Sequence, residues 1–174
     1  MELIERLKAD GISKGLCVAW QRKLKADLSV EELAKLYIDG IDFCISEDYP
    51  TLEFIRENFK GKCEPYGVFV DDELPPLTNA RALVLNGACK AMLEYDGYSV
   101  SSLYVRHDSE CAVIVSDNAV LSIDLFDNAK LHLSVVGSDA DVVVNVYGDK
   151  ATIEYIGITP KSNVRVINNS KTTY

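Results

Sequence analysis

Basic residues, histidine and closely spaced cysteines are what this 174-residue chain has least of. It carries 18 Lys and Arg against 27 Asp and Glu, a formal net charge of −9, and has 2 histidines. Residues 63–174 are the more acidic part, with 8 basic against 15 acidic side chains, whereas 1–62 hold 10 against 12. Nucleic-acid binding rests on cationic neutralisation of phosphates, so no direct nucleic-acid partner is expected, least of all for the second half. Cys17, Cys44, Cys63, Cys89 and Cys111 are an odd number and never approach a C-x-x-C spacing. They read as free, buried thiols in a reducing compartment, with no metal and no cofactor expected. Long apolar runs are missing too, so no segment has the length a membrane-spanning helix needs. The opening MELIERLKAD lacks the basic start and apolar stretch of a signal peptide, and the chain reads as cytoplasmic.

What is present divides into two styles of patterning, and the expected fold class is α+β: a small N-terminal helical unit followed by a repetitive β-sheet half. Leu3, Ile4 and Leu7 share one helical face, and Gly11 follows as a left-handed terminator. Ser13 is placed to cap a second segment with Leu16, Cys17, Trp20 and Leu24 at helical spacing; Lys14, Arg22, Lys23 and Lys25 form its solvated side. Ser29-Val30-Glu31-Glu32 is a capping box opening a helix through Leu33, Leu36 and Tyr37 that Gly40 closes. Ile41 to Ile45 is ambiguous between strand and helix, and Pro50 suits the first turn of a helix carrying Leu52, Phe54, Ile55 and Phe59. Tyr66 to Val70 reads as a strand, and Asp71 to Pro76 as a charged, proline-stiffened connector. The expected division is a helical unit over 1–62, strand and linker over 63–79, and a repetitive β domain over 80–174.

Aligned on alanine, four segments begin at Ala119, Ala129, Ala140 and Ala151, ten or eleven residues apart. Two, four and six residues on stand Leu121, Ile123, Leu125; Leu131, Leu133, Val135; Val142, Val144, Val146; and Ile153, Tyr155, Gly157. That period of two marks strands with one buried face. Each alanine follows a turn pair, Asp117-Asn118, Asp127-Asn128, Ser138-Asp139 or Asp149-Lys150. A solenoid repeats its corners by translation, whereas alternate turns of a meander lie at opposite ends and need not match. A β-solenoid with two strands per coil is therefore expected, the alternative being an antiparallel meander packed on the helices. Earlier strands near Ala82–Leu85, Lys90–Tyr95 and Val100–Arg106 would extend it in a looser register. Solenoid ends need covering: the helical half could cap one, and Asn163 to Tyr174 could cover the other or pair with a second copy as a homo-oligomer.

Arg106-His107-Asp108-Ser109 beside Cys111 contains hydrolase side chains, yet neighbours on a strand point apart and no G-x-S-x-G elbow accompanies them. No catalytic residue is assigned, a small hydrolase using His107 and Ser109 being the least favoured function. His132 lacks a second histidine for a metal site, and the acidic corners lack the glycine-rich nonapeptide of calcium-binding β-rolls. Several outward positions are apolar, namely Phe126, Val136, Val143, Tyr147 and Ile156. Combined with nearby acids they suggest a binding surface of Asp124, Phe126, Asp141, Val143, Tyr147 and Glu154: aromatic anchors within a charged rim that suits a basic protein.

Gly15-Leu16-Cys17 with Trp20-Gln21 and Leu24, Gly40 to Ile45 with Tyr49-Pro50, and Tyr104 to Ser109 resemble a family of uncharacterised proteins of Bacteroidetes phages and prophages. The repetitive half also resembles the β-helical heads of bacterial adhesins and the bactofilins, though Asp and Asn replace most of their regular glycines. The phage resemblance implies a small accessory protein that binds and modulates a host protein, such as a basic, nucleic-acid-binding defence enzyme. The β-helical resemblance implies a self-assembling structural protein, the alternative function.

Overall fold

The computed structural model describes residues 3–157 and 163–174. It divides into two compact units, 1–68 with Tyr174 and 69–173. Among the described residues no helix is long and apolar enough to cross a membrane.

The first unit contains α1 (Leu3–Ser13), α2 (Val18–Gln21), α3 (Val30–Asp39), α4 (Ile41–Ser46), α5 (Leu52–Asn58) and a 3-10 turn, Glu64–Tyr66. The capping box forms in full: Glu32 N–H donates to Ser29 Oγ at 3.2 Å and Ser29 N–H to Glu32 Oε2 at 2.8 Å. The bond from the Ser29 backbone N–H, with the Ser29 hydroxyl beside it, holds the Glu32 carboxyl below its ordinary pKa. Gly40 closes α3 as read from the sequence, whereas other helix ends depart from the sequence expectations. Gly11 lies inside α1, where a Cβ would come within 2.9 Å of Leu16 and of the Tyr49 hydroxyl, so close packing demands glycine there. Gly15, at φ +90°, is the left-handed terminator instead. Ser13 belongs to this last turn and donates to Asp10 O, and the second helix shrinks to four residues capped by Cys17. The ambiguous Ile41–Ser46 is helical, and Thr51 rather than Pro50 opens α5, accepting from Phe54 N–H at 3.3 Å.

The second unit is a parallel β-solenoid. Its strands are β1 (Val68–Val70), β2 (Leu77–Thr78), β3 (Ala82–Asn86), β4 (Lys90–Tyr95), β5 (Val100–Val105), β6 (Glu110–Val115), β7 (Val120–Leu125), β8 (Lys130–Val135), β9 (Asp141–Tyr147), β10 (Thr152–Tyr155) and β11 (Val164–Asn169). They alternate between two sheets, ordered β1-β3-β5-β7-β9-β11 and β10-β8-β6-β4-β2. Parallel pairing with the strand one coil away excludes the meander. The connector reading of Asp71 to Pro76 gives way as well: Glu73 bridges Lys90, and Leu77–Thr78 pairs with β4, so this stretch belongs to the first coil.

Inward side chains stack on their own kind from coil to coil. Leu83, Leu103, Ile123, Val144 and Val166 form one column, and Leu93, Val113, Leu133 and Tyr155 another. Val144 is buried and Asn145 half-buried on the outer face, which is the register read from the alternation. The repeating alanine is the residue at which the chain turns inward after each corner, and Ala119, Ala129 and Ala140 are buried. Earlier coils place Cys89 and Ser109 there, equally small and buried, so their repeat is present without its alanine. Their register is tighter than expected, not looser. Lys90 pairs with Glu110 and Val100 with Val120, a step of twenty residues. Val120 then pairs with Asp141, Lys130 with Thr152 and Val142 with Val164, steps of twenty-one and twenty-two.

Candidate functional site

The corners account for most of the side chains that suggested chemistry. Each regular corner places one residue in the left-handed region: Gly87, Gly97, His107, Asp117 and Asp127, with φ between 54° and 69°. Where that residue has an acceptor, it reaches back one coil. His107 Nδ1 accepts from Gly87 N–H at 3.0 Å, Asp117 Oδ2 from Gly97 N–H at 3.0 Å, and Asp127 Oδ2 from His107 N–H at 3.0 Å. Asp and Asn tolerate the left-handed conformation and bring an acceptor that glycine lacks. That is the physical reason glycine is displaced from these corners.

The hydrolase-like stretch is thus part of the scaffold. Ser109 is fully buried; its Oγ accepts from Cys89 N–H and donates to Gly87 O, both at 3.1 Å. Asp108 Oδ1 accepts from Asn128 Nδ2 at 2.8 Å. Burial pushes the neighbouring Cys111 thiol up to about 12, away from the thiolate form a nucleophile uses. Nothing in this geometry points to catalysis. Among the described residues no group of three or more His, Cys, Asp or Glu is arranged to hold a metal ion.

His132 stands on the outer face of β8 between carboxylates from the coils on either side. Its Nε2 lies 2.8 Å from Glu110 Oε1 and its Nδ1 2.9 Å from Glu154 Oε2. The hydrogen bond to His132 holds the Glu110 carboxyl below its ordinary pKa. This column ties three coils together, a feature legible only once β6, β8 and β10 are in register.

The six residues proposed as a binding surface are distributed over both sheets. Asp141 and Val143 lie on the outer side of β9. Asp124, on β7, is buried and accepts from Asn145 Nδ2 at 2.6 Å. Phe126 is buried at the corner and stacks on Tyr147 with ring centroids 4.7 Å apart. Glu154 is on β10, in the opposite sheet. Asp141 faces Arg165 Nη2 at 3.4 Å. Phe126 therefore offers no free ring, and the proposed acidic rim is partly engaged in bonds between coils.

Exposed apolar side chains occur all along the solenoid, Met92, Tyr98, Val100, Ile114, Val120 and Val136 on its earlier coils, and four more belong to the last coil. Tyr155, Ile156, Val166 and Ile167 are 49%, 48%, 37% and 48% exposed. Tyr155 and Val166 continue the inward columns, so each is a core side chain over which the described residues form no further coil. The reading of Asn163 to Tyr174 as an end segment missed that its Val164–Asn169 forms the outermost strand; the alternation of Val164 and Val166 was the available signal. In the helical unit, a cavity of about 50 Å³ is lined by Leu7, Leu16, Trp20, Leu33, Tyr37 and Phe59 among others. The nearby Tyr49 hydroxyl is spent on Leu7 O at 2.7 Å. Compared with protein-family models, curated proteins and solved structures, the chain finds no match.

Proposed function

We propose that this chain is a non-catalytic protein-interaction module, a β-solenoid scaffold that offers its last coil to a protein partner. The observation carrying this reading is that Tyr155 and Val166, which continue the two inward columns onto the outermost strands, are 49% and 37% exposed, since a solenoid end without a cap exposes both core side chains and unpaired strand backbone. The resemblance to phage and prophage proteins supports the narrower proposal of an accessory protein that modulates a host protein. The net charge of −9 suits a basic partner in that case, a nucleic-acid-binding defence enzyme among them. A structural role through self-association is the second reading, and the same open coil favours it. A photoreactive residue placed at Ile156 or Ile167 tests the function in the cell of origin. Crosslinking to protein well above that from a probe at Tyr98, an 85% exposed corner residue, is expected; equal, low yields at all three positions would contradict it.

A further inference from the structure

The two ends of the solenoid differ, and the difference bears on what the open one takes. At the first coil β1 is the edge of its sheet, yet Val68, Phe69 and Val70 are only 1%, 7% and 1% exposed. At the last coil β10 and β11 each pair with a single strand, β8 and β9, and carry side chains exposed by 37% to 49%. Head-to-tail stacking into a filament needs both edges of each end open; at the first coil β1 is buried and only the two-residue β2, with Leu77 half-buried and Thr78 exposed, presents an edge. An open end used alone closes on itself by a twofold axis.

Resting on the self-association reading above, we propose that the occupant of the last coil is a second copy of this chain, joined end to end in a closed dimer. A twofold axis perpendicular to the solenoid axis sets each edge strand antiparallel to a strand of the other copy, which satisfies the unpaired N–H and C=O groups of both. A copy also offers the matching cross-section, two sheets enclosing an apolar column, so that Tyr155 and Val166 meet side chains of their own kind. Pairing β11 with its counterpart about Val166 keeps inward residues opposite inward residues; a slip of one would turn them to opposite faces. Charge permits the contact. The described residues of the last coil and tail carry Glu154 against Arg165 and Lys171, while the chain as a whole is at −9, so this end escapes the like-charge repulsion that keeps the acidic walls apart.

The test is mass by light scattering over a range of concentrations. The wild type should settle at twice the chain mass without growing further, and Ile167→Lys, on the outer side of β11, should halve that mass while the melting temperature of the monomer is retained. Tyr98→Lys should leave the dimer intact. In a Cys17→Ser background, Val166→Cys should form an intermolecular disulfide under mild oxidation, because directly opposed residues of antiparallel strands lie within disulfide range. A mass that rises steadily with concentration, or a monomer throughout, would overturn the proposal. A monomer that still crosslinks from Ile167 to a different protein would overturn the dimer and leave the interaction reading standing; a monomer without crosslinks would remove both.

Discussion

The early coils of the solenoid and its last ones are built from the same strands but different corners. From β3 to β8 the step is twenty residues, and corner side chains of His107, Asp117 and Asp127 each accept a backbone N–H from the coil before. Beyond β8 the steps lengthen to twenty-one and twenty-two, and glycines at 137 and 148 take the left-handed positions with φ of 84° and 80°. An acceptor is useful only where successive corners stack in register. Glycine, which needs no partner, holds the left-handed position at the first two regular corners, Gly87 and Gly97, and again beyond β8. The difference separates a stretch locked coil to coil from an end left open for contact.

The largest effect expected is at the core column shared by both regions. Val144→Asp places an unpaired charge between Ile123 and Val166 and should cost several kcal/mol by chemical denaturation. Asn145→Asp, a change of one heavy atom on the outer face, is not neutral: it sets a second carboxylate against the buried Asp124 that Asn145 now serves as donor, so a smaller but measurable loss is expected. Equal losses in the two variants would break the inward and outward assignment.

Next comes Ser109→Ala, which strands Cys89 N–H in the buried corner and should cost about 1–3 kcal/mol. Ala119→Ser, at the equivalent place one corner later, tests whether register or residue type decides; it should be tolerated better than the first change. Asp127→Gly should then cost about 1 kcal/mol, the net worth of one hydrogen bond, since the left-handed backbone itself suits glycine. No loss there would mean that the corner bonds do not distinguish the early coils.

The smallest effect is pH-dependent. Glu110 has a folded pKa below its ordinary 4.5, chiefly through the hydrogen bond to His132. The stability this contributes is complete above the unfolded value and is lost as pH falls through the lowered folded one. The melting-temperature gap between wild type and His132→Ala should therefore persist down to the carboxylate range and narrow below it. Both groups are substantially exposed, so the gap should be small and shrink with salt.

How far the sequence led follows from the same physics. The alternation from Leu121 to Val146 specified strand faces because an inward side chain has one environment, and the Ser29–Glu32 box specified a helix start because both its bonds are local. Gly11 misled because its role lies in packing against Leu16 and Tyr49. His132 between Glu110 and Glu154, and Phe126 against Tyr147, depend on neighbours about a coil away, which no local pattern displays. The open end was legible only as the need of any solenoid for a cap; that the first edge is buried and the last exposed is a property of the folded chain.

Hydrogen exchange measured at low and high protein concentration tests most directly whether the locked coils are scaffold and the last coil is the contact. Amides of β5 to β8 should be protected equally at both concentrations, while those of β11 should exchange quickly in dilute protein and slow as concentration rises. Exchange in β11 that is independent of concentration and of any added partner, or protection that rises along the early coils instead, would contradict the account.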